Sequence, residues 1–460
     1  MQEPILKQND KGAGDNKSSV LNKGAGDKKD TFSIQAPQIN LPKGGGAIKS
    51  IDEKFSVNAV NGTASFSLPI PFPKARGFSP SLMLSYNSGS GNGLFGLGWN
   101  LSLSSIKRKT ENELPQYLDD INSDTFMFSG AEDLVPEFKR DADDNLIKDP
   151  DSNFIINEFP VTFQGATYNV RRYRPRIEGL FSRIERWSEK NSDFIHWRVI
   201  SKDNTTVVYG KNASARIADP RDAKLIFEWL PEFTYDDKGN CALYEYKAED
   251  GFGTDKTKLH NKNRLNGNAL ISNVYLKRIK YGNLIPFKTH TDPVPAQFLF
   301  ETIFDYGEHD TAAPPFNKIK NWDFRADAFS FYKAGFEIRT CRTCKRILLY
   351  HHFAELPGGS ALVKSLDFKY TNNDQNGFTF LTEAVLTGYT KQDDGTYTQK
   401  SLPPFTFEYQ KHEWNNEIKT IQQEDLLHAP AGIDSSNYQF VDLYNDGLSG
   451  ILTEQSNAWF

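Results

Sequence analysis

Cys341-Arg342-Thr343-Cys344 sets two thiols at zinc-knuckle spacing, and His351, His352 and the distant Cys241 could complete four ligands around one ion. A structural zinc site normally draws a second pair at matching spacing, and this chain has none. Cys341 to His352 reads instead as one long alternating strand. On such a strand Cys341 and Cys344 point to opposite faces, and chelation would need a bulge. Reduced strand cysteines are therefore expected.

Gly91-Asn92-Gly93-Leu94-Phe95-Gly96 has the spacing that grips a pyrophosphate, but that grip needs a helix opening at the third glycine. Here Leu97-Gly98-Trp99-Asn100-Leu101-Ser102-Leu103 runs straight into another strand, so a glycine-rich β turn is expected. Glu111-Asn112-Glu113 has the Glu-x-Glu form of ADP-ribosyl transfer, in which one carboxylate orients the nicotinamide ribose and the other the acceptor. The Arg and Ser-Thr-Ser elements that should accompany it are not placed around it. Its position after Lys107-Arg108-Lys109 favours a solvated charged loop. No Gly-x-Ser-x-Gly elbow is present, Gly89-Ser90-Gly91 being too short for one. His196 beside Trp197 reads as a hydrogen-bonded structural histidine. No catalytic constellation emerges within residues 1–460, so neither enzymatic activity nor a cofactor or metal is expected of them.

A last candidate is calcium. Phe440-Val441-Asp442-Leu443-Tyr444-Asn445-Asp446-Gly447-Leu448 has the cadence of an integrin-like propeller repeat, where an Asp- and Asn-rich turn binds the ion between two strands. With Asp442 as first ligand Asp446 fits, but Tyr444 and Gly450 stand where further oxygens belong. Since one blade cannot bury its own faces, the natural protein is expected to continue past Phe460.

The elements that must position these residues are strands. From Phe32 onward, short apolar or alternating runs are punctuated by Gly, Asn, Asp and Pro. Examples are 64–68, 81–86, 100–106, 194–201, 205–209, 242–246, 272–281, 297–306, 336–353, 363–370 and 405–409. Residues 223–230 could form a short helix or a strand. Asp236-Asp237-Lys238-Gly239-Asn240, between Phe233-Thr234-Tyr235 and Ala242-Leu243-Tyr244, is the best hairpin turn. Aromatic residues reach 13% while Met numbers 3, a skew that suits rings packing across pleated surfaces. The expected fold class is all-β.

Composition narrows the function classes. Lys plus Arg is 54 and Asp plus Glu 59, a net charge of −5 and too balanced for nucleic-acid binding. No run approaches the roughly 20 apolar residues of a membrane-spanning helix, so no direct membrane insertion is expected. The 3 cysteines cannot make a disulfide framework. Residues 1–31 read as a disordered polar tail with a Lys-Gly-Ala-Gly-Asp repeat, and no classical export signal is present.

Pro80-Ser81-Leu82-Met83-Leu84-Ser85-Tyr86-Asn87-Ser88-Gly89-Ser90-Gly91, running on through the glycine turn to Trp99, resembles the opening signature of the SpvB virulence proteins. It also resembles the TcB components of insecticidal toxin complexes, and a similar stretch opens RHS-repeat proteins. Tyr173 to Phe181, Ala215 to Pro220, Phe304 to Glu308, Gly335 to Thr340 and Cys344 to Phe353 look like further family blocks. Val441 to Leu452 looks like the start of the TcB propeller region. The likeness runs in order over about residues 32–460.

The resemblance implies an extended antiparallel β-sheet shell-type domain over 32–430, followed at 431–460 by the start of a truncated FG-GAP-like propeller. It implies one part of a hollow shell that, with a TcC/RHS-type toxin protein, encloses a toxic C-terminal domain and docks on a TcA-type translocation channel. A toxin component of this kind would act extracellularly after a stage in the bacterial cytoplasm. The alternative it implies is the non-catalytic N-terminal region of an SpvB-type ADP-ribosyltransferase whose enzyme domain lies beyond residue 460. Within this family the Cys and His block belongs to the strand pattern.

Overall fold

Ile195–Ile200 shows how the sequence builds this protein: Ile195, Trp197 and Val199 enter one core while His196 and Arg198 face the other side of the strand. The computed structural model describes residues 54–58, 62–111, 113–129, 132–192, 194–262, 264, 271–289, 292–372, 377–410, 417–420, 438–443, 449–455 and 458–459. The expected tail at 1–31 lies outside them. Among the described residues the only helical elements are the short 3-10 turns Ala213–Ala215, Leu259–Asn261 and Pro357–Gly359. The all-β expectation holds. The chain divides into two compact units, with the boundary in sequence between Glu408 and Tyr409.

A 19-stranded antiparallel sheet dominates the first unit. From Ala166–Pro175 onward its ladder follows the chain through Arg183–Glu189, Ile195–Ile200 and Thr206–Tyr209. It continues through Pro231–Tyr235, Cys241–Ala248, Val274–Asn283 and Phe298–Asp305, then Arg346–His351, Ala361–Asn372 and Thr379–Lys391. At the other end the order is non-sequential. Asp222–Trp229 pairs with Ile106–Arg108, which leads through Phe126–Phe128 and Glu132–Pro136 back to Ala166–Pro175.

This end of the sheet rolls over itself. Trp229 from the far strand meets Trp197 at 6.0 Å, and its indole Nε1 donates to the Ile195 carbonyl at 2.7 Å. Ile106, Phe126, Tyr173, Ile184 and Tyr209 complete that core. A second core lies under a separate four-stranded sheet, Lys54–Val57, Ala64–Pro69, Met83–Asn87 and Trp99–Leu101. Leu68, Leu84 and Trp99 of that sheet pack on Ile279, Phe304, Ile347, Leu366 and Leu381 of the main one. Trp99, Trp197, Trp229 and Trp322 rank among the largest fully buried side chains, as the aromatic excess anticipated.

The predicted hairpin at 236–240 is present. Asp236 Oδ1 accepts from the amides of Lys238 and Asn240 at 3.0 and 2.8 Å, and Gly239 takes a φ of 83°. Residues 223–230 are strand. Two expected strands are broken instead. The run 100–106 divides between Trp99–Leu101 in the small sheet and Ile106–Arg108 in the main sheet. The run 336–353 divides between Ile338–Thr340, paired with Phe329–Phe331, and Arg346–His351. Alternation continues across both breaks because each half serves a different buried face.

In the second unit, Tyr438–Val441, Gly450–Gln455 and Ala458–Trp459 form a three-stranded antiparallel sheet.

Candidate functional site

Cys341-Arg342-Thr343-Cys344 lies in the break between two sheets, not on a strand. This corrects the expectation of strand cysteines and follows from what the segment must reach. The Cys341 amide donates to the Tyr275 hydroxyl at 2.9 Å, and the Cys344 amide donates to the Leu94 carbonyl at 3.0 Å. Both thiols are free and buried. Burial, reinforced by Glu249, pushes the Cys341 thiol up to about 12, and burial raises Cys344 as well.

The other proposed ligands stand apart. Cys241 sits in a separate cluster with Phe233 and Phe287. The His351 ring packs edge-on against Phe300 at 4.9 Å, and His352 Nε2 lies 3.0 Å from Glu301. Among the described residues no group of three or more His, Cys, Asp or Glu is placed to hold a metal ion.

What this block does hold is arginine. Arg342 is fully buried and pairs with the equally buried Glu249, its Nε donating to Oε2 at 3.0 Å. Its guanidinium lies 4.3 Å from the Trp322 ring centroid. Arg346 Nη2 donates to Asp305 Oδ2 at 2.8 Å and to the Asp310 carbonyl at 2.8 Å. Lys277 Nζ reaches Glu308 at 2.8 Å and His309 Nε2 at 3.4 Å, and His309 Nδ1 lies 2.8 Å from the Phe316 carbonyl. These pairs fasten the segment 305–323 to the sheet.

The glycine turn is a plug. Asn92–Gly93 and Gly96–Leu97 form a two-residue ladder with no helix after it, which excludes the dinucleotide grip. Arg325 Nη1 donates to the Gly93 carbonyl at 2.8 Å while its Nε bonds Asp327 at 2.8 Å. Asp327 also accepts from Asn92 Nδ2 and from the Thr379 amide, each at 2.8 Å. Burial opposes the Asp327 charge, but Arg325 and these donors outweigh it and hold the carboxyl below its usual range.

The remaining candidates separate as follows. The Glu111 side chain is 65% exposed and 3.2 Å from Lys109, a solvated loop residue as expected. His196 is buried, but its Nε2 has no hydrogen-bond partner among the described residues, which corrects the reading of a hydrogen-bonded histidine. Burial of the ring between Trp187 and Tyr168 drives its pKa far below the usual imidazole value. Asp442 follows the strand Tyr438–Val441, and Asp446 lies outside the described residues.

Sequence reasoning assigned no role to Arg325, Arg342 or Arg346. Arginines set among apolar residues, as in Arg346-Ile347-Leu348-Leu349, were the available signal, since a buried cation requires a partner.

The geometry thus shows a sheet with interior ion-pair clamps, and the fold of that sheet has relatives among known proteins. Residues 58–353 match the family described as SpvB, Salmonella virulence plasmid 65kDa B protein. The chain belongs to the SpvB family. It is 37% identical over 355 residues to the mono(ADP-ribosyl)transferase SpvB of Salmonella typhimurium, covering 75% of this chain and 56% of that protein. This SpvB-family chain therefore spans only about half the length of the curated relatives it matches. A solved structure of the N-terminal domain of SpvB from Salmonella typhimurium superimposes with a TM-score of 0.61 at 35% identity, covering 70% of this chain and 98% of that one. TcdB2-TccC3 superimposes with a TM-score of 0.74 at 31% identity, covering 93% of this chain and 20% of that one. The Photorhabdus luminescens Tc holotoxin pore gives 0.73 at 31%, covering 94% and 19%.

Proposed function

We propose that this SpvB-family chain is the N-terminal, non-catalytic wall segment of a toxin-complex B-type component. It would form part of a β-shell that encloses a partner's toxic domain for delivery outside the producing cell. The observation that carries this reading is coverage. The likeness to TcdB2-TccC3 extends over 93% of the chain, against 70% for the SpvB N-terminal domain. A wall needs a long antiparallel sheet closed by side-chain clamps, and the first unit is built that way. In the same reading the three-stranded sheet of Tyr438–Val441, Gly450–Gln455 and Ala458–Trp459 begins a propeller blade, and calcium titration tests Asp442 and Asp446 as its ligands.

The test is assembly. The full-length protein, co-expressed with a TcC/RHS-type partner, should co-elute as one complex that protects the partner's C-terminal domain from protease. Failure to associate overturns the shell reading. A second reading, the non-catalytic leader of an ADP-ribosyltransferase, draws on the higher identity of 37% to SpvB. NAD-dependent labelling of actin by the full-length protein, lost on removing the part beyond residue 460, would favour it.

A further inference from the structure

Arg198 lies on the face of its strand opposite the tryptophan core, and only 7% of it is exposed. Its guanidinium sits in the corner where two aromatic rings meet edge-on, 3.7 Å from the Trp187 centroid and 4.5 Å from that of Phe163. A buried guanidinium is normally paired with a carboxylate, because an uncompensated charge in low dielectric is costly. Here the guanidinium has no hydrogen bond or ion pair among the described residues, and its Nε is enclosed without a partner.

The carboxylate expected to serve it is engaged elsewhere. Glu185 sits directly across the ladder from Arg198, but it binds Arg183 Nε at 3.0 Å and accepts from Trp187 Nε1 at 3.1 Å. More positive charge is nearby: Lys211 Nζ lies 5.2 Å from the same Phe163 ring, and Arg216 stacks on Phe194 at 4.9 Å. Arg216 is satisfied by the Gly210 and Lys211 carbonyls, and Lys211 by Gln164 at 2.9 Å. Arg198 is the cation left over, held against the two rings with no protein hydrogen bond spent among the described residues.

We propose that Arg198, with Lys211 beside it, receives an oxyanion: the carboxylate or phosphate group of a small ligand that reaches the guanidinium at the edge of the Phe163 and Trp187 cluster. A planar fork held in the corner of two rings loses little freedom on binding, so even a single oxyanion gains a charge-assisted, two-point contact. This site is distinct from any shell closure and is testable on the chain alone.

The experiment is calorimetric titration of the 460-residue chain with inorganic phosphate and, separately, with N-acetylglutamate, at ionic strength matched with chloride. Binding of either anion, weakened about tenfold or more by Arg198→Met, supports the site, and which anion binds identifies the group it takes. Arg198→Met removes an unpaired buried charge, so without anion its melting temperature should equal or exceed that of the parent. Should that variant misfold, Lys211→Gln should fold and still weaken binding severalfold. No heat with either anion, or unchanged binding in both variants, overturns the proposal.

Discussion

The guanidinium of Arg342 stacks 4.3 Å from the ring centroid of Trp322 while it neutralises Glu249, and none of the three side chains has significant access to water. The pair therefore acts as a clamp whose halves cannot be removed singly. Arg342→Met leaves a buried carboxylate without a cation and should cost about 3–5 kcal/mol of stability. The double variant Arg342→Met with Glu249→Leu should recover most of that loss. Urea denaturation of both variants checks the pattern, and a single variant within about 1 kcal/mol of the parent would refute the clamp.

Acid should loosen the segment 305–323. His309 holds Lys277 with one ring nitrogen and faces the Phe316 carbonyl with the other, which requires the neutral imidazole. Burial, with Lys277 opposing a second positive charge, lowers its pKa below the ordinary value, although Asp305 and Glu308 lie nearby. The unfolded chain then binds the proton more readily than the folded one. The stabilisation is complete above about pH 6.5 and is lost as pH falls toward the lower folded value. His196 and His351 are shifted the same way by burial, so the whole protein should lose stability on that side. His309→Asn keeps a donor for Phe316 but cannot titrate, and its stability curve should be measurably flatter between pH 7 and pH 5. An unchanged slope would contradict this account.

The glycine turn should show a sharp positional contrast. Gly96 has a φ of 95°, and a Cβ there would sit 2.7 Å from the Thr379 carbonyl oxygen. A Cβ at Gly91 would meet nothing within 4 Å. Gly96→Ala should cost about 1–3 kcal/mol, while Gly91→Ala should stay within about 0.5 kcal/mol. Thermal melting of the two variants side by side tests whether the turn is a plug. Equal effects would argue against it.

All three cysteines should resist alkylation in the folded protein. Cys241, Cys341 and Cys344 are buried with raised thiol pKa values, so little thiolate is available and reagents lack access. Mass spectrometry after iodoacetamide at pH 8 should find them unlabelled, and fully labelled in urea. Rapid labelling of Cys341 without denaturant would mean that the break between the sheets opens readily.

The periodicity of the chain gave strand type far better than strand partner. Leu101, Leu103 and Ile106 alternate as if on one strand, yet Leu101 and Leu103 pack in the core under the small sheet and Ile106 in the rolled core with Trp197. Alternation reports that a residue faces something apolar and carries no information about which sheet supplies it. The same ambiguity hid the break at 341–345, where amide donors satisfied by Tyr275 and Leu94 stand in for a ladder. The hairpin at Asp236 was legible because its chemistry is local. Arg342 and Glu249 were not, since nothing in either neighbourhood points across the intervening chain. The orphaned Arg198 was equally silent, because a missing partner is visible only once the neighbours are in place.

The small four-stranded sheet has a consequence for synthesis. Its apolar side is covered by strands as late as Thr379–Lys391, while its own last strand ends at Leu101. Roughly 280 residues must therefore leave the ribosome before Leu68, Leu84 and Trp99 find their cover, a wait of about 15–60 s at ordinary elongation rates. Throughout that interval the nascent chain carries a sticky, half-built surface. Holdase chaperones should therefore engage residues 64–101 during translation and release them only when the distal strands arrive.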